Sequence, residues 1–448
     1  MAIFDRFMET VDRFPELVFL QMKEETGLRR ITFAKAYETA ITTGRCLINE
    51  GIKRGDKDAI FAENSPEWCL AYLGIVSIGA VAVPLDVQYS RGEVENLLRD
   101  SESRAVFTSK NFLSLLNDAS AGMRIRIISI DAPIPESPPA EFPAVGADDI
   151  ASLLYTSGTT GVPKGVMLTH RNLLSNAEAL ITPGVVSHSD HVLSILPLHH
   201  AYPFMICFLL PCLVGGRITF LNSLKGPEIM KTLREGDVTV LVGVPQLFSL
   251  MHKGIMAGMK SLPRWKKLIA RPMFIAAREL RRSTGLNMGR VVFKKIRREF
   301  GASLRFFTSG GARLDPAIAS DMEGLGFTFL EGYGLTETSP VAAFNLPGAK
   351  RTGSVGRSVG GVDIRIENPD ASGMGEVIIR GPNVMAGYYN NPAATAEAVR
   401  EGWFHSGDLG YLDSDGFLFL TGRSKEVIVL SSGKNIYPED VENHYLQS

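Results

Sequence analysis

Residues 155–165 read YTSGTTGVPKG, a stretch that sets four hydroxyl side chains (Thr156, Ser157, Thr159, Thr160) among glycines and ends on Lys164 and Gly165. Glycines such as Gly158 and Gly161 let successive backbone N–H groups turn toward one point, the hydroxyls add donors, and Lys164 adds a positive charge. That combination suits phosphate. It is not the G-x-x-x-x-G-K-[ST] loop, because the fifth position after Gly158 is Pro163. Further stretches carry reactive or ligand-binding residue types: LPLHHAYPF (196–204), SGGAR (309–313), EGYGLTET (331–338), GWFHSGDLG (402–410) and TGRSKEVIVLSSGKN (421–435).

In composition and order these stretches resemble the signatures of the adenylate-forming superfamily, which holds acyl-CoA synthetases, firefly luciferase and peptide-synthetase adenylation domains. The resemblance implies that Thr156, Ser157, Gly158, Thr159, Thr160, Gly161 and Lys164 wrap the β- and γ-phosphates of ATP. It further implies that Gly310, Gly311 and Ala312 border adenine, that Tyr333 and Gly334 pack on it, and that Thr336 meets the α-phosphate. Glu337 would hold Mg²⁺, Asp408 and Arg423 the ribose hydroxyls, and His200 the substrate carboxylate, with His199 as a neighbour. Lys164, His200, Thr336 and Glu337 are the expected catalytic set. The implied reaction has two steps: a carboxylate attacks the α-phosphorus and releases pyrophosphate, then coenzyme A displaces AMP to give a thioester. Lys425 would be the pivot on which a C-terminal domain turns between the steps.

The elements needed to hold these residues are legible as alternating strands and helices. DAIFAEN (58–64), AVAVPLD (80–86) and RAVFTS (104–109) read as strands. Between them, Ser65-Pro66-Glu67 starts a helix over about 66–78, and Ser90–Ser101 forms an amphipathic one. Further strands are expected near 150–156, 191–196, 217–221, 238–243, 303–309 and 327–331. The fold class is therefore α/β: two α/β subdomains with mostly parallel sheets plus a small β-subdomain. The expected divisions are a large N-terminal domain over 1–422, with subdomains of about 1–145, 146–350 and a β-rich 351–422. Residues 423–448 are read as the hinge and the start of a truncated C-terminal domain.

A net charge of −1 over 448 residues argues against nucleic acid as a partner. The four cysteines show no metal or disulfide spacing and fit a cytoplasmic protein. One segment departs from this neutrality: 260–300 carries thirteen Lys and Arg against Glu279 and Glu299, with apolar residues interleaved. Such a segment is a candidate for peripheral contact with the inner face of a membrane, the alternatives being a solvated face or an anion funnel.

The resemblance also implies a catalytic lysine late in the C-terminal domain, and the last lysine here is Lys434. The expectation is slow adenylation by this chain, with a non-catalytic acyl-adenylate or ATP-binding module as the alternative. For the acid, the apolar HHAYPFMICFLLPCLVGG and PQLFSLMH favour a medium- or long-chain fatty acid. An aryl or alicyclic acid is the alternative.

Overall fold

The computed structural model describes residues 1–24, 27–156 and 163–423, and the backbone of 428–429 and 435–436. Two compact units emerge, and they interleave along the chain. One comprises Met1–Ser223, Leu335–Pro340 and Pro382–Glu397; the other comprises Leu224–Gly334, Val341–Gly381 and Ala398–Ser448.

The first unit holds a seven-stranded sheet in the order Gly387–Tyr388, Lys164–Thr169, Ile150–Thr156, Val81–Pro84, Lys57–Phe61, Ser103–Thr108, Arg126–Ser129. The last five are parallel to one another, whereas Lys164–Thr169 returns antiparallel beside Ile150–Thr156. Val81–Pro84 is buried throughout, as a parallel strand covered on both faces must be. The sheet thus runs across the boundary expected near 145, because backbone hydrogen bonds join Ala82 to Ser152 in register regardless of chain distance. The same unit pairs His191–Leu193, Arg217–Leu221 and Val18–Glu24 in parallel, with Gly27–Thr32 antiparallel at the edge.

Helix Pro66–Ser77 forms where the sequence places it. Ser65 caps it by accepting from the Trp68 amide at 3.1 Å, and Pro66 takes the first-turn position where no N–H is missed. Eleven of its twelve residues are buried, which explains why its apolar residues show no single face. Gly74 allows this closeness, since a Cβ there would lie 2.4 Å from Thr43 Cγ2. Tyr72 stacks with Trp68, meets Phe204 at 4.8 Å between ring centroids, and hydrogen-bonds Ser152 Oγ at 2.9 Å. Each such fully buried large side chain contributes roughly 1.5–3 kcal/mol.

The apolar run 201–216 folds into a continuous helical stretch, with π-type turns at Phe204–Leu209 and a left-handed Gly215 ending it. Like 70–85 it is core, and among the described residues no helix is long and apolar enough to cross a membrane.

The second unit has Val240–Gly243, Phe306–Ser309 and Phe329–Gly334 in parallel, extended by antiparallel Val341–Phe344 and Arg357–Ser358. It also holds a separate antiparallel sheet of Asp363–Glu367, Gly375–Arg380 and Trp403–Leu412. Val399–Arg400 and Leu418–Arg423 both pair with the last of these strands. This is the small β-rich portion expected from the glycine-rich texture after 350.

Candidate active site

In the second unit, the geometry around Asp408 comes from a bulge. Glu376 pairs with Leu409 and Ile378 with His405, so one residue on one strand faces three, Ser406–Asp408, on the other. The extra residues loop out, with Gly407 at φ +73°, and are fastened: Ser406 Oγ donates to Val377 O at 2.6 Å, and Gly407 N to Glu376 Oε1 at 2.9 Å. The buried Asp408 carboxylate accepts from Tyr333 Oη at 2.7 Å and pairs with Arg423 Nε at 3.0 Å. Arg423 faces Asp408 directly in the register of the next strand. Burial, and then the neighbouring Asp408 charge, push the Tyr333 hydroxyl well above its ordinary range, so it stays a donor. Three residues separated by 75 and 15 positions thus become one cluster of ring, carboxylate and guanidinium. Gly310, Gly311 and Ala312 form the turn after Phe306–Ser309, and Gly311 at φ +84° needs the freedom of glycine.

In the first unit, Thr156 and Lys164 are register partners at the open end of the antiparallel pair, which brings the two ends of the YTSGTTGVPKG loop together. Ser157, Gly158, Thr159, Thr160 and Gly161 lie outside the described residues, as does Lys425. Lys164 Nζ stands 5.0 Å from the centroid of the Tyr388 ring, and Tyr388 Oη donates to Glu337 Oε1 at 2.7 Å. Burial and the Glu337 charge raise the Tyr388 hydroxyl strongly. Thr336 and Glu337 sit in a 3₁₀ turn that Thr338 closes by accepting from Leu335 N at 2.9 Å. Asn383 Nδ2 holds the same turn at Thr338 O, and Met385 N donates to Glu337 O.

Glu337 accepts this one side-chain hydrogen bond and makes no ion pair among the described residues. A hard carboxylate oxygen with capacity to spare, held by a neutral tyrosine, is chemically suited to Mg²⁺. A lysine ammonium against the same tyrosine ring suits the charge of a polyphosphate.

The histidine pair divides differently from a simple tandem. His200 is exposed, whereas His199 is largely buried, its Nε2 3.5 Å from Asp86 Oδ2 and its ring 4.2 Å from that of His200. Burial, then the adjacent His200, lower His199 to about 4, so the ring is neutral at pH 7 despite Asp86. The segment is fixed by Asn64, whose Nδ2 donates to Leu196 O at 2.6 Å and whose Oδ1 accepts from Leu198 N at 2.9 Å.

Tyr388 and Asn64 were not among the residues the sequence motifs single out. Tyr388 lies 51 positions from Glu337 and Asn64 lies 132 from Leu196, and no local spacing signals either partnership. Asn64→Ala is expected to cost about 1–3 kcal/mol of stability, the worth of two hydrogen bonds. It should also raise the KM for the carboxylic acid more than that for ATP. Urea melts and steady-state kinetics check this; an unchanged acid KM removes the positioning role.

Mostly parallel α/β sheets, a small antiparallel sheet and these two clusters define an enzyme of the adenylate-forming class. Residues 7–389 match the AMP-binding enzyme family, and the chain belongs to it. It is 32% identical over 426 residues to a feruloyl-CoA synthase of Amycolatopsis sp, covering 93% of this chain and 78% of that one. To the long-chain-fatty-acid–CoA ligase FadD15 of Mycobacterium tuberculosis it is 31% identical over 462 residues, with 96% and 75% coverage. Among solved structures it superposes on ATP-bound MatB from Rhodopseudomonas palustris with a TM-score of 0.79 at 27% identity, covering 99% of this chain and 83% of that one. The adenylate-forming CoA ligases of this family use ATP, Mg²⁺ and coenzyme A.

Proposed function

We propose that the protein activates a medium- or long-chain fatty acid as its acyl-adenylate and passes the acyl group to coenzyme A. The single observation that carries the fatty-acid reading is the similarity to a relative named as a long-chain-fatty-acid–CoA ligase, matched over 96% of this chain. The run Ala201–Val214, which follows His200 directly, is apolar apart from Tyr202, and its side chains are packed in the core. Apolar surroundings favour an alkyl tail by roughly 0.8 kcal/mol per buried CH₂. The relative named feruloyl-CoA synthase favours a second reading, an aryl acid.

Adenylation sets an anionic carboxylate against an anionic triphosphate, so the protein contributes mainly position and charge compensation. Tyr333 would offer its ring to adenine, while Asp408 and Arg423 would hold the ribose hydroxyls, with Gly310, Gly311 and Ala312 lining the base. Thr156, Lys164 and the intervening loop would grip the leaving pyrophosphate, and Thr336 the α-phosphate. Glu337 would hold Mg²⁺, which supplies positive charge against the phosphates; Tyr388 keeps that carboxylate oriented. Burial lowers both imidazoles, and His200, the more exposed of the two, would be the histidine presented to the acid.

Binding of non-hydrolysable acyl-sulfamoyl adenosines with alkyl tails of increasing length and with aryl groups tests the acid class. Affinity is expected to rise about threefold to fourfold per added CH₂ until the pocket is filled. Aryl analogues that bind far more tightly than every alkyl one would replace the fatty-acid reading with the second.

A further inference from the structure

We propose that the outward face of the helix Arg264–Thr284 is a docking surface for an anionic lipid bilayer, which it would meet lying flat rather than spanning. This goes beyond the adenylation reading and does not depend on it.

The helix turns one side inward. Phe274 and Ala277 are buried, Phe274 meets Phe293 edge to face at 6.2 Å, and Arg278 pairs with Asp321 at 2.9 Å. At about 100° per residue, Trp265, Leu268 and Ile269 fall on the opposite side. These three are 63%, 77% and 56% exposed. Met273 and Ile275 extend this apolar face along its margins.

Scattered apolar residues on a surface need no explanation, but these are concentrated. Nine of the fourteen large hydrophobic side chains exposed among the described residues fall between Leu250 and Val291. A helix of twenty-one residues is about 30 Å long, and this one has buried only a narrow stripe of itself.

Charge identifies the occupant. Arg264, Lys266, Lys267 and Arg271 are exposed and have no acidic partner among the described residues. Lys266 Nζ instead lies 5.2 Å from the Trp265 ring centroid. The thirteen cations against two glutamates over 260–300 stand in a chain whose net charge is −1, so the imbalance is local. At the same 100° per residue Arg264, Lys266 and Arg271 stand roughly 90–115° from the centre of the apolar arc, at its margins, whereas Lys267 falls on the inward-turned side. Three cations edging an exposed apolar arc with a tryptophan in it match the acyl–headgroup boundary of an anionic leaflet: lysine and arginine reach phosphates while Trp265, Leu268 and Ile269 enter the apolar layer. A nucleic acid would use the cations and leave the apolar face in water. A second copy of this chain would bring like charge against like.

The test uses the full chain with vesicles of phosphatidylcholine alone and of phosphatidylcholine mixed equally with phosphatidylglycerol. Co-sedimentation is expected only with the anionic vesicles, and to weaken as salt rises. Trp265 reports insertion: of the three tryptophans, Trp68 and Trp403 are buried, so a blue shift of emission on vesicle addition comes from this face. The variant Arg264→Gln/Lys266→Gln/Arg271→Gln should lose about 100-fold in affinity, from roughly fivefold per cation removed. Trp265→Ser/Leu268→Ser should abolish the shift while its thermal melt stays unchanged, because both side chains are exposed. Equal binding to both vesicles, or binding with no change in Trp265 emission, overturns the proposal. So does a self-association, seen by light scattering, that the apolar variant removes while vesicle binding is absent.

Discussion

Replacing Glu337 by glutamine should lower the rate of adenylate formation about 10²–10³-fold, the scale of losing one preorganised electrostatic contact in an active site. The change is nearly isosteric. The amide oxygen can still accept from Tyr388 Oη, and the main-chain bond from Met385 N to Glu337 O is untouched, so the turn should persist. What disappears is the charge that makes the second carboxylate oxygen a ligand for a hard cation. Titrating Mg²⁺ at fixed ATP should show a rising response in the parent protein and a flattened one in the variant, while AMP affinity stays level. Tyr388→Phe is the milder companion, removing one hydrogen bond to a charged group and costing about tenfold. An E337Q protein with parental rate and parental Mg²⁺ response would remove Glu337 from the proposed metal-binding role.

Asp408→Asn should act on a different part of the nucleotide and weaken ATP and AMP alike, by about 10²-fold. Asp408 is buried, accepts from Tyr333 and pairs with Arg423. A charge-assisted hydrogen bond contributes about 1.5–3 kcal/mol, and the variant gives up the charge that orients both partners and that would strengthen any bond to a ribose hydroxyl. Isothermal titration with AMP isolates this effect, because AMP lacks the phosphates that Glu337 and Lys164 would serve. Unchanged AMP affinity in D408N would rule out Asp408 as a ribose ligand. Together the two variants separate recognition of the nucleoside from handling of the phosphates.

Much of the framework that carries these residues is legible along the chain, because its causes are local. Ser65-Pro66-Glu67 starts a helix through a cap and a fixed φ, and the capping bond to Trp68 N is there. Val81–Pro84 reads as a strand because β-branched and apolar residues suit a strand covered on both faces. The glycine-rich texture after 350 likewise folds as short antiparallel strands. The division into units was not legible in the same way. Chain order suggests a boundary near 145, but the ladder joining Val81–Pro84 to Ile150–Thr156 crosses it. The segments Leu335–Pro340 and Pro382–Glu397 join the first unit from far down the chain.

Sequence alone determined the α/β class and the family resemblance, because motifs such as YTSGTTGVPKG, EGYGLTET and GWFHSGDLG stand in order along the chain; the roles proposed for their residues toward phosphate, ribose, adenine and carboxylate are what that resemblance implies. Only the tertiary structure decided how those groups are held. It placed Tyr388 on Glu337, Asn64 beneath the histidine segment and Arg423 against Asp408, and it left His200 more exposed than His199. The physical reason is the same in each case. A motif is local, whereas burial and hydrogen-bond partnership are set by strand register and packing between residues tens to hundreds of positions apart, which local composition does not encode.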